Sequence, residues 1–416
     1  MPEPVSTAVA RPPSASKAFF VQLAVLGPGL LVMLADADVG NVAVAAQAGA
    51  RWGFRLLPLL LALIPLLFIV QELTVRLGIF TRQGLGELIR DRFGRFWSLV
   101  AGIGLVIAVM ASLVTEFTGV AGIGELYGLS RDLTLPMAGG ILLLIAASGT
   151  YRRIEFITLW IGLFVLAFFV VAASARPGAA RVVHEMVDIP FGNGEFWFMV
   201  AATIGTCFNP WMMFYQQSAV VDKGLAVHNY RLSRIETATG AILTQLITAS
   251  VLFAVATSFG AGGVQGSLET IGQISHAMIP LLGVSLGPLV FSIGVLGASM
   301  VAAIVCSLAL AWGIGELCGI SRSLEEQPRR LRWFYLAYVV GVVAAATLVW
   351  AEPNLLWLNI VAQVTNVFSL PLVIGFLIIL AVTCVPAPFR LRGWYLWMTI
   401  GLSAVVCLGG VFGAMQ

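Results

Sequence analysis

Eleven long apolar segments, separated by short stretches rich in charge, glycine or proline, run almost the whole length of this chain. They lie near 20–50, 54–80, 96–128, 133–150, 154–175, 194–222, 235–260, 282–318, 333–350, 354–384 and 393–414. A membrane-spanning helix needs roughly 20 predominantly apolar residues, and no water-soluble core of this size can hide eleven such runs. Composition agrees: 59% of the 416 residues are apolar and only 10% charged, against about a quarter charged in soluble domains. Soluble enzymes, nucleic-acid binders and disulfide-built secreted modules are excluded, and the lipid bilayer is the chain's solvent. Several runs exceed 25 residues, so tilts, interfacial turns or breaks are expected rather than straight rods.

The basic residues orient the spans. With the amino terminus inside, eighteen of the 23 Lys and Arg fall in inward segments, five of them between 76 and 95. Arg51, Arg55, Arg131, Arg176 and Arg181 alone face outward. This asymmetry is what the positive-inside rule requires of eleven spans that begin inside and end outside. Residues 1–18, rich in Pro, Ser and Ala, read as a disordered cytoplasmic tail, and residues 19–416 as one transmembrane domain. No cleavable signal is convincing, because the first apolar run is long and ten follow. The segment 81–96 reads as a partly amphipathic inner connector, and 176–194 and 260–267 as ordinary outer connections. Cys207, Cys306, Cys318, Cys384 and Cys407 lie in or at the ends of spans without a paired spacing, which predicts packing residues and neither disulfide nor zinc site.

Polar side chains inside a span are costly unless they face a cavity, a partner or an ion. The first span carries Asp36, Asp38, Gly40 and Asn41 at its middle, a run of poor helix formers. It predicts a local unwinding in which side-chain oxygens and freed carbonyls coordinate a cation, since irregular backbone at membrane depth survives only around such a cavity. The sixth span repeats the pattern with Gly205, Thr206, Asn209 and Pro210, followed by Gln216 and Gln217. Breaks in spans 1 and 6, five helices apart, are the signature of transporters built from two inverted five-helix repeats. The repeats are expected near 19–175 and 194–384, with an additional helix near 393–414.

The tenth span adds Gln363 and Asn366, three apart and so on one face. In the third, Glu116 is open to either a structural hydrogen bond or a place on the ion path, whereas Glu125 reads as interfacial. Glu72, Glu155 and Glu236, near inward ends, are expected to pair with nearby arginines. His184, His228 and His276 all lie outside the predicted spans. No embedded histidine is therefore available to carry protons near neutral pH. Asp38, Asn41, Asn209 and Gln363 offer only hard oxygen, which suits magnesium, calcium or manganese over softer metals. Magnesium keeps much of its water and is bound by one or two carboxylates. Met212 and Met213 follow the proline and read as packing residues.

The chain resembles the NRAMP family of divalent-metal transporters. That family's first-helix hallmark, Asp-Pro-Gly-Asn followed closely by Gln-Ala-Gly-Ala, is matched here by Asp38-Val39-Gly40-Asn41 and Gln47-Ala48-Gly49-Ala50. The segment after span 2 and the tenth-span QVTNVFSLP resemble it as well. The departures carry information. Where the family offers Ala-x-x-Met-Pro-His, this chain has Thr206-Cys207-Phe208-Asn209-Pro210-Trp211. The family's two sixth-helix histidines are replaced by Trp211 and Gln216, and an acidic pair in helix 3 by Glu116 and Gly119. These losses resemble the NRAMP-related magnesium transporter branch. The resemblance implies an all-α LeuT-type fold of 11 transmembrane helices, two inverted five-helix repeats and broken helices 1 and 6. It implies metal-binding positions at Asp38, Asn41, Thr206, Asn209 and Gln363. Asp36, Glu116, Gln216 and Asn366 are placed on the ion path or around the site, and Asp36 has no counterpart in the family's metal motif.

The expectation is therefore an importer, not an enzyme, for partly hydrated Mg²⁺ and also Mn²⁺. It works by alternating access, without evident proton coupling and without a cofactor. A monomer in a bacterial inner membrane is expected. The alternatives weighed are a proton-coupled Mn²⁺/Fe²⁺ transporter and a cation-coupled organic-solute symporter. An intramembrane aspartyl protease using Asp36 and Asp38 fails, because its acids should lie on two helices with a Gly-x-Gly-Asp motif, which the sequence lacks.

Overall fold

A computed structural model of the chain describes residues 27–147, 151–260, 268, 270–319, 332–352 and 354–416. Among the described residues every regular element is helical and no strand occurs. The first span is α1 (Pro28–Asp36) and α2 (Val39–Trp52), bent by 44° at their junction. The second is α3 (Leu57–Thr81), the third α4 (Leu85–Leu126) and the fourth α5 (Arg131–Ala147). The fifth runs as α6 (Tyr151–Gly162), a 3-10 turn over Leu163–Leu166, and α7 (Ala167–Ser174). An outer helix, α8 (Ala179–Val187), precedes the sixth span, α9 (Gly194–Cys207) and α10 (Pro210–Asp222). Then come α11 (Tyr230–Gly260), the short α12 (Ile271–Ala277), α13 (Ile279–Cys318), α14 (Arg332–Ala351), α15 (Leu355–Thr383) and α16 (Gly393–Ala414).

Six of these helices, together with the continuous run Arg153–Ser174 made by α6, the 3-10 turn and α7, are long and apolar enough to cross a bilayer, and the bent first pair makes an eighth. The fourth, sixth and ninth predicted spans are filled by α5, by the broken α9–α10 and by α14, whose described apolar stretch is Tyr335–Ala351. The expected tail at 1–18 and the glycine-rich 261–267 lie outside the described residues.

Local chemistry sets the interruptions. Asp38 is extended (φ −79°, ψ 178°) and caps α2, its side chain accepting from the Asn41 amide. A short polar side chain there satisfies a first-turn amide that the helix itself leaves open. Pro210 does not kink a continuous helix; it occupies the first turn of α10, where its fixed φ fits and its missing N–H is not needed. At 42 residues α4 would reach about 63 Å at 1.5 Å per residue, twice a hydrocarbon core of about 30 Å. Gly94, at φ 84°, breaks it. The predicted connector 81–96 thus becomes an inner helical arm that ends where the third span begins.

The scaffold is α4 packed along α13 and α15, with α2 and α3 on α11. The segment 176–194 is more than a connection. Within it, Arg181 pairs with Glu185 at 2.7 Å, and Glu185 accepts the Phe54 amide at 3.0 Å, clamping the carboxy-terminal end of α2.

Candidate functional site

The breaks in the first and sixth spans meet in the buried centre of the bundle. Asn41 on α2 donates its side-chain amide to the Asp36 carbonyl and, at 3.2 Å, to the Thr206 carbonyl. Asn209, between α9 and α10, donates to the same Thr206 carbonyl at 2.9 Å. From α15, Asn366 donates to Asn209 Oδ1 at 2.5 Å and to Gln363 Oε1 at 3.0 Å. One polar network therefore joins Asp36, Asp38, Asn41, Thr206, Asn209, Gln363 and Asn366, and all seven are at most 2% exposed.

Close backbone approach assembles it. A Cβ on Gly40 would stand 1.8 Å from Gln363 Nε2, and one on Gly205 would stand 2.1 Å from the Gln363 carbonyl oxygen. Glycine at these two positions lets α2 and α9 close on α15 around one glutamine. Gly119 obeys the same logic: a Cβ there would meet Val39 at 2.5 Å. The position where the resemblance loses an acid is thus a packing surface for the first turn of α2.

What the network leaves over defines its chemistry. Asp36 Oδ1, Asp38 Oδ2, Asn41 Oδ1 and Asn366 Oδ1 are buried without a hydrogen-bond partner. Buried polar atoms are ordinarily satisfied, so unpaired ones call for an explanation such as an ion or water. All four are hard oxygens; within the network the Gln363 Nε2 donor is unpaired as well. The one buried basic side chain among the described residues is Arg76, held at 2.9 Å by Glu72 well away from this network. Three acids, Asp36, Asp38 and Glu116, are buried here with no cation beside them. Among the described residues no group of three or more His, Cys, Asp or Glu is placed to hold a metal. An ion there would instead meet carboxylate and amide oxygens.

The remaining candidates separate. Asp36 ends α1 inside the network, and its carboxylate is reached by Asn209. Glu116 accepts the Val39 amide at 3.5 Å and the Thr115 hydroxyl at 3.2 Å; it stands at the amino terminus of α2, beside the site. Gln216 is outside the network. It accepts from Thr74 at 3.0 Å and donates to Thr237 at 3.1 Å, a neutral link between α3, α10 and α11. Trp211 donates to Ser112 at 2.8 Å. Met212 and Met213 are fully buried in the apolar core, as expected of packing residues. Thr206 contributes its carbonyl, while its hydroxyl is used by Thr203 at 2.9 Å.

Two acids behave differently from expectation. Glu155 pairs with Lys223 at 2.8 Å rather than with an arginine. Glu236 accepts the Gly27 and Leu30 amides at 2.7 and 2.8 Å, capping α1 instead of pairing with a nearby Arg. The amides of a helix start are unsatisfied donors, and a carboxylate is their best acceptor. Sequence reading missed this cap, since the two partners are more than 200 residues apart. It also passed over Gln71, whose fully buried side-chain amide has neither atom paired. A glutamine inside an otherwise apolar run was the available signal.

Two discontinuous helices meeting at a buried oxygen-rich site, in a bundle of long apolar helices, are the arrangement of a LeuT-type transporter fold. Residues 29–415 match the Nramp family, described as natural resistance-associated macrophage protein-like, and the chain belongs to that family. It is 28% identical over 301 residues to a protein named divalent metal cation transporter MntH from Yersinia pestis, covering 70% of this chain and 72% of that one. A protein of the same name from Bradyrhizobium diazoefficiens is 25% identical over 369 residues, covering 84% and 79%. The fold is similar to that of a manganese transporter of Eremococcus coleocola, at TM-score 0.76 and 19% identity over 97% of this chain and 88% of that one. It is also similar to a nucleobase-cation-symport-1 family transporter, at TM-score 0.56 and 17% identity over 94% and 90%.

Proposed function

We propose that this chain imports a hard divalent cation, Mg²⁺ and also Mn²⁺, by alternating access, the ion entering the site partly hydrated. The observation that carries this reading is the set of four unpaired buried oxygens where the two broken spans meet. Asp38 supplies the main charge and Asp36 a second. Asn41, Asn209 and Gln363 supply amide oxygens, directly or through retained water. Family membership and the names of the relatives support a divalent metal as cargo; the hard donor set favours magnesium within that class. Trp211 and Gln216 hold neutral hydrogen bonds where protons would otherwise pass, which supports uptake without obligatory proton coupling. The chain is read as a monomer in a bacterial inner membrane with its amino terminus inside.

The test is uptake into proteoliposomes holding a Mg²⁺ indicator, with a pH dye in parallel and a negative internal potential. Saturable Mg²⁺ entry without matching acidification is expected. Asp38→Ala removes a buried charge partner worth about 3 kcal/mol, so apparent affinity should fall about 100-fold. Mn²⁺ entry with acidification and no Mg²⁺ entry would instead establish the proton-coupled transition-metal reading.

A further inference from the structure

The inner end of the third span carries a feature that ion transport does not use. Beyond the break at Gly94, the outward face of α4 presents Leu99, Ile103 and Ile107 at 64, 53 and 48% exposure. The inner end of α13 lies alongside, tied to α4 where Ser98 donates to the Leu317 carbonyl at 3.0 Å. Between the two helices runs a groove of about 820 Å³, apolar along Leu99, Ile103, Ile107 and Ile314, with Arg90 and Arg95 at its mouth. Arg90 is braced there by the Glu316 carbonyl at 2.7 Å and by Asp91 at 3.3 Å. Arg95 is exposed and has no hydrogen bond or ion pair among the described residues. Phe96 and Trp97, ring centroids 5.4 Å apart, are both exposed beside it. Aromatic residues of this kind settle at headgroup depth.

A cationic mouth at headgroup depth, opening into an apolar groove at acyl-chain depth, is complementary to one kind of molecule. We propose that the groove binds an anionic phospholipid from the leaflet that the basic loops face. Its phosphate lies on Arg95 and Arg90, and one acyl chain runs between α4 and α13. Among the described residues, two arginines stand against the Asp91 carboxylate and leave net positive charge at the mouth, so a zwitterionic lipid is held less firmly. Each interfacial arginine contributes about fivefold to the preference for an anionic headgroup. The site is separate from the ion network, and the inference does not depend on which metal is carried.

Cys318 lines the same groove and is exposed, whereas Cys207, Cys306 and Cys407 are buried. It therefore serves as a built-in reporter once the half-buried Cys384 is replaced by Ser. The full chain in detergent is titrated with phosphatidylglycerol or with phosphatidylcholine of the same acyl chains, and the rate of maleimide labelling at Cys318 is followed. Phosphatidylglycerol should slow labelling at concentrations about fivefold or more below those needed for phosphatidylcholine, and Arg95→Gln should erase most of that difference. Arg92→Gln, exposed but outside the groove, should leave it intact. Equal protection by the two lipids, the same preference in Arg95→Gln, or protection by inorganic phosphate alone would overturn the proposal. So would slow labelling before any lipid is added, which would mean that the chain itself fills the groove.

Discussion

At the scale of single residues, the site is governed by how few atoms it can spare. Asn209 stands where the resembled family carries methionine, and its oxygen is held by Asn366 at 2.5 Å. Asn209→Met exchanges a hard donor for a polarizable thioether and leaves the Asn366 amide one of its two acceptors, Gln363 Oε1. Mg²⁺ uptake should drop about tenfold while uptake of a soft ion such as Cd²⁺ appears, because thioether ligands select softer metals; competition between the two ions in proteoliposomes measures it. The two glycines around Gln363 separate side-chain from backbone constraint. In Gly40→Ala the new methyl meets the mobile end of Gln363, which can swing aside, so the protein should fold and lose ion affinity. In Gly205→Ala the methyl meets the Gln363 carbonyl, which only a backbone shift can clear. That variant should lose about 1–3 kcal/mol of stability, read as a lowered melting temperature in detergent.

At the scale of elements, the broken helices were legible because the sequence breaks its own rules there. Asp36, Asp38 and Asn41 in one apolar run, and Asn209 before Pro210 in another, contradict a continuous span; the structure ends α1 and restarts α2 and α10 at those residues. The kink in α4 was less legible: the segment before it reads as amphipathic, but only the positive φ of Gly94 fixes where it stops. The caps across elements were not legible at all, since nothing local in Glu236 indicates that it receives the amides of Gly27 and Leu30. This cap, with Lys223–Glu155 beside it, pins the amino-terminal end of α1 to α11 and the carboxy-terminal end of α10 to α6. Glu236→Ala should free α1. Two charge-assisted hydrogen bonds of about 1.5 kcal/mol each are lost, so amide exchange over residues 28–36 should speed at least tenfold while α13 stays protected. Glu236→Gln keeps an acceptor and should fall between. Unchanged exchange in the alanine variant would mean that the cap does not hold the helix.

At the scale of the whole molecule, the latch at the start of the first span has a counterpart at its end. Glu236 of α11 holds the start of α1. Glu185 of α8 holds the end of α2 through the Phe54 amide, while Arg181 reaches the Ala256 carbonyl of α11 at 3.3 Å and Arg55 pairs with Asp188 at 2.5 Å. The first span is thus fastened at both ends, and under the proposed alternating access each fastening must yield in turn. The one at the end of α2 is open to titration. Partial burial pushes the Glu185 carboxyl up, but the Phe54 amide, Arg181 and Arg55 more than offset it and hold its pKa below the ordinary 4.5. A carboxyl with a depressed folded-state pKa stabilises the fold fully above its unfolded value, and the contribution fades as pH falls through the folded value. Glu185→Gln should therefore cost about 1 kcal/mol at pH 7, the worth of a charge-assisted hydrogen bond discounted for the solvent that reaches this partly buried acceptor. The melting-temperature gap between wild type and variant should hold constant from pH 7 to about pH 5.5, narrow below 4.5, and close once the wild-type carboxyl is protonated. A gap that instead widened with acidification would show that the charge of Glu185 opposes the clamp.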